Sequence, residues 1–198
     1  MSKRLIFGLG TGRCGSMSLA NLLTHQSDCL ISHELGGAPW LTWEPSKSLN
    51  VFMNRVVNRR ESIVGDVSFY SLPYANILMD RYDDVRFVIL KRDKEETIKS
   101  YMKKTQGRNH WMLHNGSVWR LDIWDRCYPK FNVETKEEAL SRYYDHYYEL
   151  CQQLPQNKCF WLQSPELNDE SKCLEMLKFC GIESPRFKIF KKNEGTNG

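Results

Sequence analysis

Five short apolar segments recur along the chain, and stretches with helical periodicity separate them. This alternation constrains the fold more than any other feature. Turn residues bound each apolar segment, as is typical of buried strands. The predicted strands are "RLIFGLG", "DCLISHE", "SIVGDVS", "VRFVILK" and "KCFWLQ". Strands that alternate with helices imply right-handed β-α-β crossovers and a parallel sheet covered on both faces.

The predicted fold class is therefore α/β, a three-layer α/β/α arrangement with a central parallel sheet. The 198 residues suffice for one well-buried core and are too few for two, so we expect a single domain over residues 1–198. With 41% hydrophobic and 26% charged residues, the composition is that of an ordinary globular protein. In such a sheet, ligands bind beyond the carboxyl ends of the strands.

The turn after the first strand, "GLGTGRCGSMS", fits two known glycine patterns. As G-x-G-x-x-G it uses Gly10, Gly12 and Gly15, and Glu34 follows 19 residues after Gly15, at the end of the second strand. A dinucleotide fingerprint has its ribose-binding acid at about this distance. A nicotinamide-dependent Rossmann oxidoreductase is therefore one candidate.

The second pattern, G-x-x-x-x-G-K-[ST], is incomplete. Ser16 replaces the phosphate-binding Lys and Met17 replaces the Mg-binding hydroxyl, which disfavours an ATPase or kinase. Amides, hydroxyls and one guanidinium at a helix N-terminus instead suit a phosphate or phosphosulfate without a metal. The simpler alternative is a turn that only lets a strand and a helix pack. The residues of the predicted anion cradle are Gly12, Arg13, Cys14, Gly15, Ser16, Met17 and Ser18.

A second cationic motif follows the fourth predicted strand. In "VRFVILKRDKEETIKSY" the strand ends near Arg92, and the helix that begins near Asp93 carries Ser100 about two turns along. Arg92 and Ser100 would then hold a further phosphate. Taken alone, Arg92 and Asp93 would form an ordinary surface ion pair. The glycine turn at the same edge of the sheet favours the phosphate interpretation.

Together the two motifs resemble those of sulfotransferases that use 3′-phosphoadenosine 5′-phosphosulfate (PAPS). In that family a G-x-x-R-[SC]-G-[ST] loop holds the 5′-phosphosulfate, and an Arg with a Ser eight residues later holds the 3′-phosphate. The matching segments here are "GTGRCGSMS" and "RDKEETIKS". The resemblance implies a P-loop NTPase-like fold, PAPS as co-substrate and no metal. The family's C-terminal glycine-rich loop is absent, which leaves "KKN" at 191–193 as the candidate for adenine contacts.

The resemblance also implies transfer of a sulfuryl group to a hydroxyl or amine. The acceptor would be a small molecule, a glycan or a lipid. Glu34 is the preferred base, with His33 as its orienter or as an alternate base, and Arg13 would serve the leaving group. A strand-end histidine satisfied by backbone is the plainer account of His33. Asp66 either contacts the acceptor or caps a turn.

The remaining features narrow partners and location. A net charge of +4 is too small for a nucleic-acid binder, and no segment predicts a membrane span. Seven scattered cysteines without a C-x-x-C pair suggest free thiols in the cytoplasm. The long loop 107–133, with His110 and Trp111, would form either an acceptor lid or an aromatic patch over the core. A nucleotide-binding module without turnover is the third candidate function.

Overall fold

The computed structural model describes residues 3–36, 39–40, 45–113, 122 and 124–190. The five predicted strands all form, and helices lie between them, as the alternation predicts. The strands are β1 Arg4–Leu9, β2 Cys29–His33, β3 Ile63–Val67, β4 Val85–Lys91 and β5 Cys159–Gln163. The α-helices are α1 Ser16–Thr24, α2 Pro45–Val57, α3 Ala75–Arg81, α4 Lys94–Lys104, α5 Lys136–Gln152 and α6 Glu170–Phe179.

The five strands form one parallel sheet in the order β2-β3-β1-β4-β5. The neighbours β1 and β4 lie side by side, so the glycine turn after β1 and the cationic motif after β4 meet at one edge. A Rossmann sheet has β2 next to β1. Here β3 lies between them, so the strand order does not support the dinucleotide interpretation.

Side chains of the sheet alternate between two separate cores. On β1, Leu5, Phe7 and Leu9 enter one core, and Ile6 enters the other. Buried residues of α2, α3, α4 and α5 complete the first core, and those of α1 and α6 complete the second. Helices therefore cover both faces of the sheet, and the predicted three-layer α/β/α fold is confirmed.

Side-chain caps fix where the helices of the site begin. The Asp93 carboxylate accepts the Glu96 N–H at 2.9 Å, so α4 starts at Lys94. The Thr135 hydroxyl likewise accepts the Glu138 N–H at 3.2 Å, as the Thr-x-x-Glu sequence predicts. A cap of this kind stabilises a helix by about 1 kcal/mol. With α4 anchored at Asp93, Ser100 lies near its middle.

The C-terminal segment differs from its prediction. The sequence suggests a last short strand in "RFKIF", but residues 186–190 form no strand. The backbone of Arg186 bonds to a side chain: the Gln26 amide accepts the Arg186 N–H and donates to the Arg186 carbonyl, both at 2.8 Å. Phe187 and Phe190 pack on the α1 and α6 core. The segment therefore lies on the helical layer and does not extend the sheet.

The seven cysteines are free thiols, and every one is buried. Burial raises the pKa of each thiol, for example to about 12 for Cys29 and well above its ordinary value for Cys180. In the part of the chain that the structure describes, no helix is both long and apolar enough to cross a bilayer.

Candidate functional site

A cavity of about 580 Å³ opens at the carboxyl edge of the sheet. Every residue of the two predicted anion sites except Cys14 and Ser100 lines it, as do His33 and Glu34. The cavity also has a cationic and aromatic wall that the sequence did not predict. The lining residues are Gly12, Arg13, Gly15, Ser16, Met17, Ser18, His33, Glu34, Phe69, Arg92, Tyr101, Lys104, Thr105, Trp124 and Tyr128.

The glycine turn has a left-handed backbone at three positions. Gly12 has φ +84°, Arg13 has φ +59°, and Gly15, the N-cap of α1, has φ +92°. A Cβ at Gly12 would overlap the Tyr101 hydroxyl, so this position requires glycine for space as well as for conformation. Arg13 has no such freedom, and a left-handed arginine is a local strain that its surroundings must hold.

Two hydrogen bonds of Arg13 join the predicted anion sites. Its Nε donates to the Ser100 Oγ at 3.1 Å, and its carbonyl accepts from the Arg92 Nη1 at 3.0 Å. Ser100, which is not part of the cavity wall, is thus in contact with a residue that is. Arg92 also forms an exposed ion pair with Glu96 at 3.0 Å. The structure therefore brings Arg13, Arg92 and Ser100 together, as the spacing predicts.

Cys14 faces away from the cavity, although it lies between Arg13 and Gly15. Its side chain is buried, and burial raises the pKa of the thiol to about 11. Only the backbone of Cys14 is therefore available to a ligand. Its carbonyl accepts from the Ser164 Oγ at 2.6 Å, and the same hydroxyl reaches the Lys91 carbonyl at 3.2 Å. Ser164 thus joins the glycine turn to the end of β4, a role that no sequence pattern indicates.

The hydroxyls of the first helical turn are already engaged. The Ser16 Oγ lies 2.9 Å from the His33 Nε2, and the Ser18 Oγ donates to the Phe190 carbonyl at 2.8 Å. The hydrogen bond between Ser16 and His33 connects the glycine turn to the end of β2. His33 therefore contacts Ser16, and its roles as orienter of Glu34 or as alternate base stay predictions.

Glu34 follows β2 in a left-handed conformation, with φ +49°. Burial and, to a smaller extent, the negative charge of Asp66 raise the pKa of its carboxyl to about 7, although the positive charge of Arg13 opposes the rise. Asp66 is itself buried, and burial raises its pKa to about 6. The Asp66 Oδ1 accepts the Leu35 N–H at 3.2 Å and so holds the chain just after Glu34. This contact reaches back to the neighbouring strand end, and the same carboxylate also interacts with Ser68 at the start of the following turn.

Aromatic side chains form the wall near Glu34. The rings of Phe69 and Tyr128 stack at 4.4 Å with an interplanar angle of 8°, and Trp124 packs against Phe69 at 6.2 Å. Trp124 and Tyr128 come from the long loop 107–133, so part of this loop lines the cavity. His110 and Trp111 do not, since both are buried behind Tyr128. The aromatic-patch interpretation therefore holds for these two residues.

Two predictions fall on residues outside the described part of the chain. The candidate adenine contacts at 191–193 lie there, as do 114–121 and 123 of the long loop. Among the described residues, no group of three or more His, Cys, Asp or Glu side chains is arranged to hold a metal ion.

The solved structures that resemble this chain include two sulfotransferases. A sulfotransferase from Alicyclobacillus acidocaldarius superposes with a TM-score of 0.57 at 15% identity, over 100% of this chain and 88% of that protein. Mouse sulfotransferase SULT7A1, solved in complex with PAP, superposes with a TM-score of 0.52 at 12% identity, over 93% of this chain and 61% of that protein. No family model and no curated protein sequence matches the chain.

The structural similarity establishes the fold, although the sequence identities of 15% and 12% are low. The chain has the α/β fold of the sulfotransferases, as the resemblance of its two motifs predicts. One fold supports many functions, so the residues of the site and not the fold determine the activity.

Proposed function

We propose that the protein is a PAPS-dependent sulfotransferase that transfers a sulfuryl group to a hydroxyl or amine acceptor. The observation that carries the proposal is the contact of Arg13 with both Arg92 and Ser100 at the cavity. Two separate sequence motifs, each suited to an anion, thereby belong to one site. A ligand with anionic groups at two ends fits such a site better than a ligand with one.

Two groups of residues would bind the two anionic ends of the nucleotide. The backbone of the glycine turn and the N-terminus of α1, with Arg13 and Ser16, would hold the 5′-phosphosulfate. Arg92 and Ser100 would hold the 3′-phosphate. The mouse neighbour is complexed with PAP, and for this chain we propose 3′-phosphoadenosine 5′-phosphate (PAP) as the product ligand.

PAPS supplies an activated sulfuryl group, and the chain's residues manage the charges around it. The acceptor oxygen or nitrogen forms the new bond to sulfur while the bond from sulfur to the bridging phosphate oxygen breaks, and that oxygen keeps the electron pair. Arg13 and Ser16 would stabilise the resulting negative charge. Glu34 would take the acceptor proton, since a base with a pKa of about 7 is well matched to neutral pH.

We also propose an acceptor of small-molecule, glycan or lipid type that packs on the wall of Phe69, Trp124 and Tyr128. A cytoplasmic location is proposed from the seven free thiols, because a reducing compartment keeps such thiols unpaired.

A ligand panel tests the proposal. Thermal shift is measured with PAP, adenosine 5′-phosphate, NAD and ATP, each with EDTA and with Mg²⁺. We expect PAP to stabilise the protein most, and to do so in EDTA, because the site lacks the Lys and hydroxyl of a metal-assisted P-loop. A ligand at one hundred times its Kd adds about 2.7 kcal/mol of stability. Stabilisation by NAD alone, or a strict need for Mg²⁺, would refute the proposal.

A further inference from the structure

Helix α5 carries four tyrosines on its buried face, and their hydroxyls meet the two anion-binding segments. The periodicity of "RYYDHYYELC" predicts only that these residues pack in the core. The structure shows that they occur as two pairs, four residues apart in each case. The first pair is Tyr143 and Tyr147, and the second is Tyr144 and Tyr148.

The first pair forms hydrogen bonds to the backbone of the glycine turn. The Tyr143 hydroxyl donates to the Thr11 carbonyl at 2.9 Å, and Tyr101 of α4 donates to the same oxygen. The Tyr147 hydroxyl accepts the Gly10 N–H at 2.9 Å. All three phenols are buried, with exposed fractions of 4% or less. Because a peptide unit is planar, fixing the Thr11 carbonyl also fixes the N–H of Gly12, where the left-handed turn begins.

The second pair holds the end of β4. The Tyr144 hydroxyl donates to the Arg92 carbonyl at 2.6 Å, and the Tyr148 hydroxyl donates to the Leu90 carbonyl at 2.9 Å. Arg92 lies just after the strand, where its carbonyl has no partner in the sheet ladder. Tyr144 therefore fixes the backbone from which the Arg92 guanidinium extends to Arg13.

We propose that Tyr143, Tyr147 and Tyr144 are positioning residues, the first two for the 5′-phosphosulfate loop and the third for the arginine that binds the 3′-phosphate. The inference rests on the proposed function. The hydrogen bonds serve the site and not the helix, since the backbone of α5 is satisfied within the helix itself. The buried Thr11 carbonyl accepts from Tyr143 and Tyr101, and the half-buried Arg92 carbonyl accepts from Tyr144. Leaving such a group without a partner is costly.

The two pairs predict different binding defects. Tyr144→Phe keeps the ring and removes one hydroxyl, so affinity for PAP should fall about fivefold while affinity for adenosine 5′-phosphate stays within about twofold. Tyr143→Phe should weaken both ligands about threefold, because Tyr101 retains its bond to Thr11. Tyr74→Phe is the matched control: its buried hydroxyl donates to the Pro39 carbonyl, which belongs to neither site.

Calorimetric titration of each variant with both nucleotides measures these affinities, and urea unfolding measures the loss of stability. The control should lose stability without losing affinity for either nucleotide. Equal losses for both nucleotides in Tyr144→Phe, or no loss in Tyr143→Phe, would overturn the inference while leaving the proposed function intact. A wild type that shows no preference for PAP over adenosine 5′-phosphate would overturn the proposed function and the inference with it.

Discussion

Arg92→Ala separates the two roles that the structure gives to this side chain. Its guanidinium faces the proposed 3′-phosphate site, and its Nη1 also donates to the Arg13 carbonyl of the glycine turn. Removing the side chain should therefore lower the affinity for PAP strongly and the affinity for adenosine 5′-phosphate slightly. If Arg92 did not contact Arg13, the substitution would leave the affinity for adenosine 5′-phosphate unchanged.

The magnitudes follow from the contacts. A charge-assisted contact to a phosphate contributes on the order of 1.5 to 3 kcal/mol, which predicts a loss of about 10- to 150-fold in the preference for PAP. The neutral carbonyl contact contributes about 1 kcal/mol, which predicts a further loss of about fivefold for both ligands. The Arg92–Glu96 pair changes little, because its side chains are 34% and 63% exposed and solvent screens them.

The assay is titration with both nucleotides at fixed ionic strength, with folding checked by circular dichroism. Lys94→Ala is the matched control: it removes a neighbouring cation of α4, which pairs with Asp145 at 2.6 Å and lies outside the cavity wall. Its affinities should match those of the wild type. Equal losses for PAP and adenosine 5′-phosphate in Arg92→Ala would refute the argument, because they would mean that Arg92 supports only the 5′ end or the fold.

Three further outcomes are expected. Glu34→Gln should lower kcat by roughly 10²- to 10⁴-fold with unchanged PAP affinity, and a lost affinity would contradict its role as base. In the wild type, kcat/KM should rise with pH through about 7 as Glu34 loses its proton. Asp66→Asn removes a charge that raises the pKa of Glu34, so the rise should move to lower pH. An unchanged pH profile would contradict the electrostatic effect of Asp66 on Glu34. Gly12→Ala should lower the free energy of unfolding in urea by more than about 2 kcal/mol. The added methyl group would overlap Tyr101, and the left-handed backbone would add a strain of about 1 to 2 kcal/mol. Gly107→Ala, at φ +72° with open space around it, should show the strain alone, and equal costs would refute the steric argument.

The fold was predictable because its signals are local. Strand β4 begins and ends where the apolar run of "VRFVILK" does, since a central strand is buried on both faces. The distance from Arg92 to Ser100 is also local, because one capped helix sets it. The tail at 186–190 was not predictable in this way. Its apolar residues fit a strand, and only the tertiary position of Gln26 decides that the segment lies on α1 and α6.

The site was predictable by residue type but not by contact. Glycines, Arg13 and Glu34 carry recognisable patterns, so the sequence indicates the cavity wall. The contacts of Ser164 and Tyr144 with backbone carbonyls depend on segments far apart in the chain, and no periodicity encodes them. Cys14 shows the same limit. Its place in the motif predicts a ligand contact, and only the structure shows that its side chain is buried, which leaves its backbone for such a contact.

The burial of all seven cysteines has a practical consequence for spectroscopy. Thiol-directed dyes react with an exposed thiolate, and buried thiols with pKa values of about 11 or above present little of one at neutral pH. A cysteine introduced at Val51, which is 53% exposed on α2, would take a maleimide label in the otherwise unmodified chain. Fluorescence at that single position would then report on the protein without the removal of any native sulfur atom, including the one beneath the glycine turn.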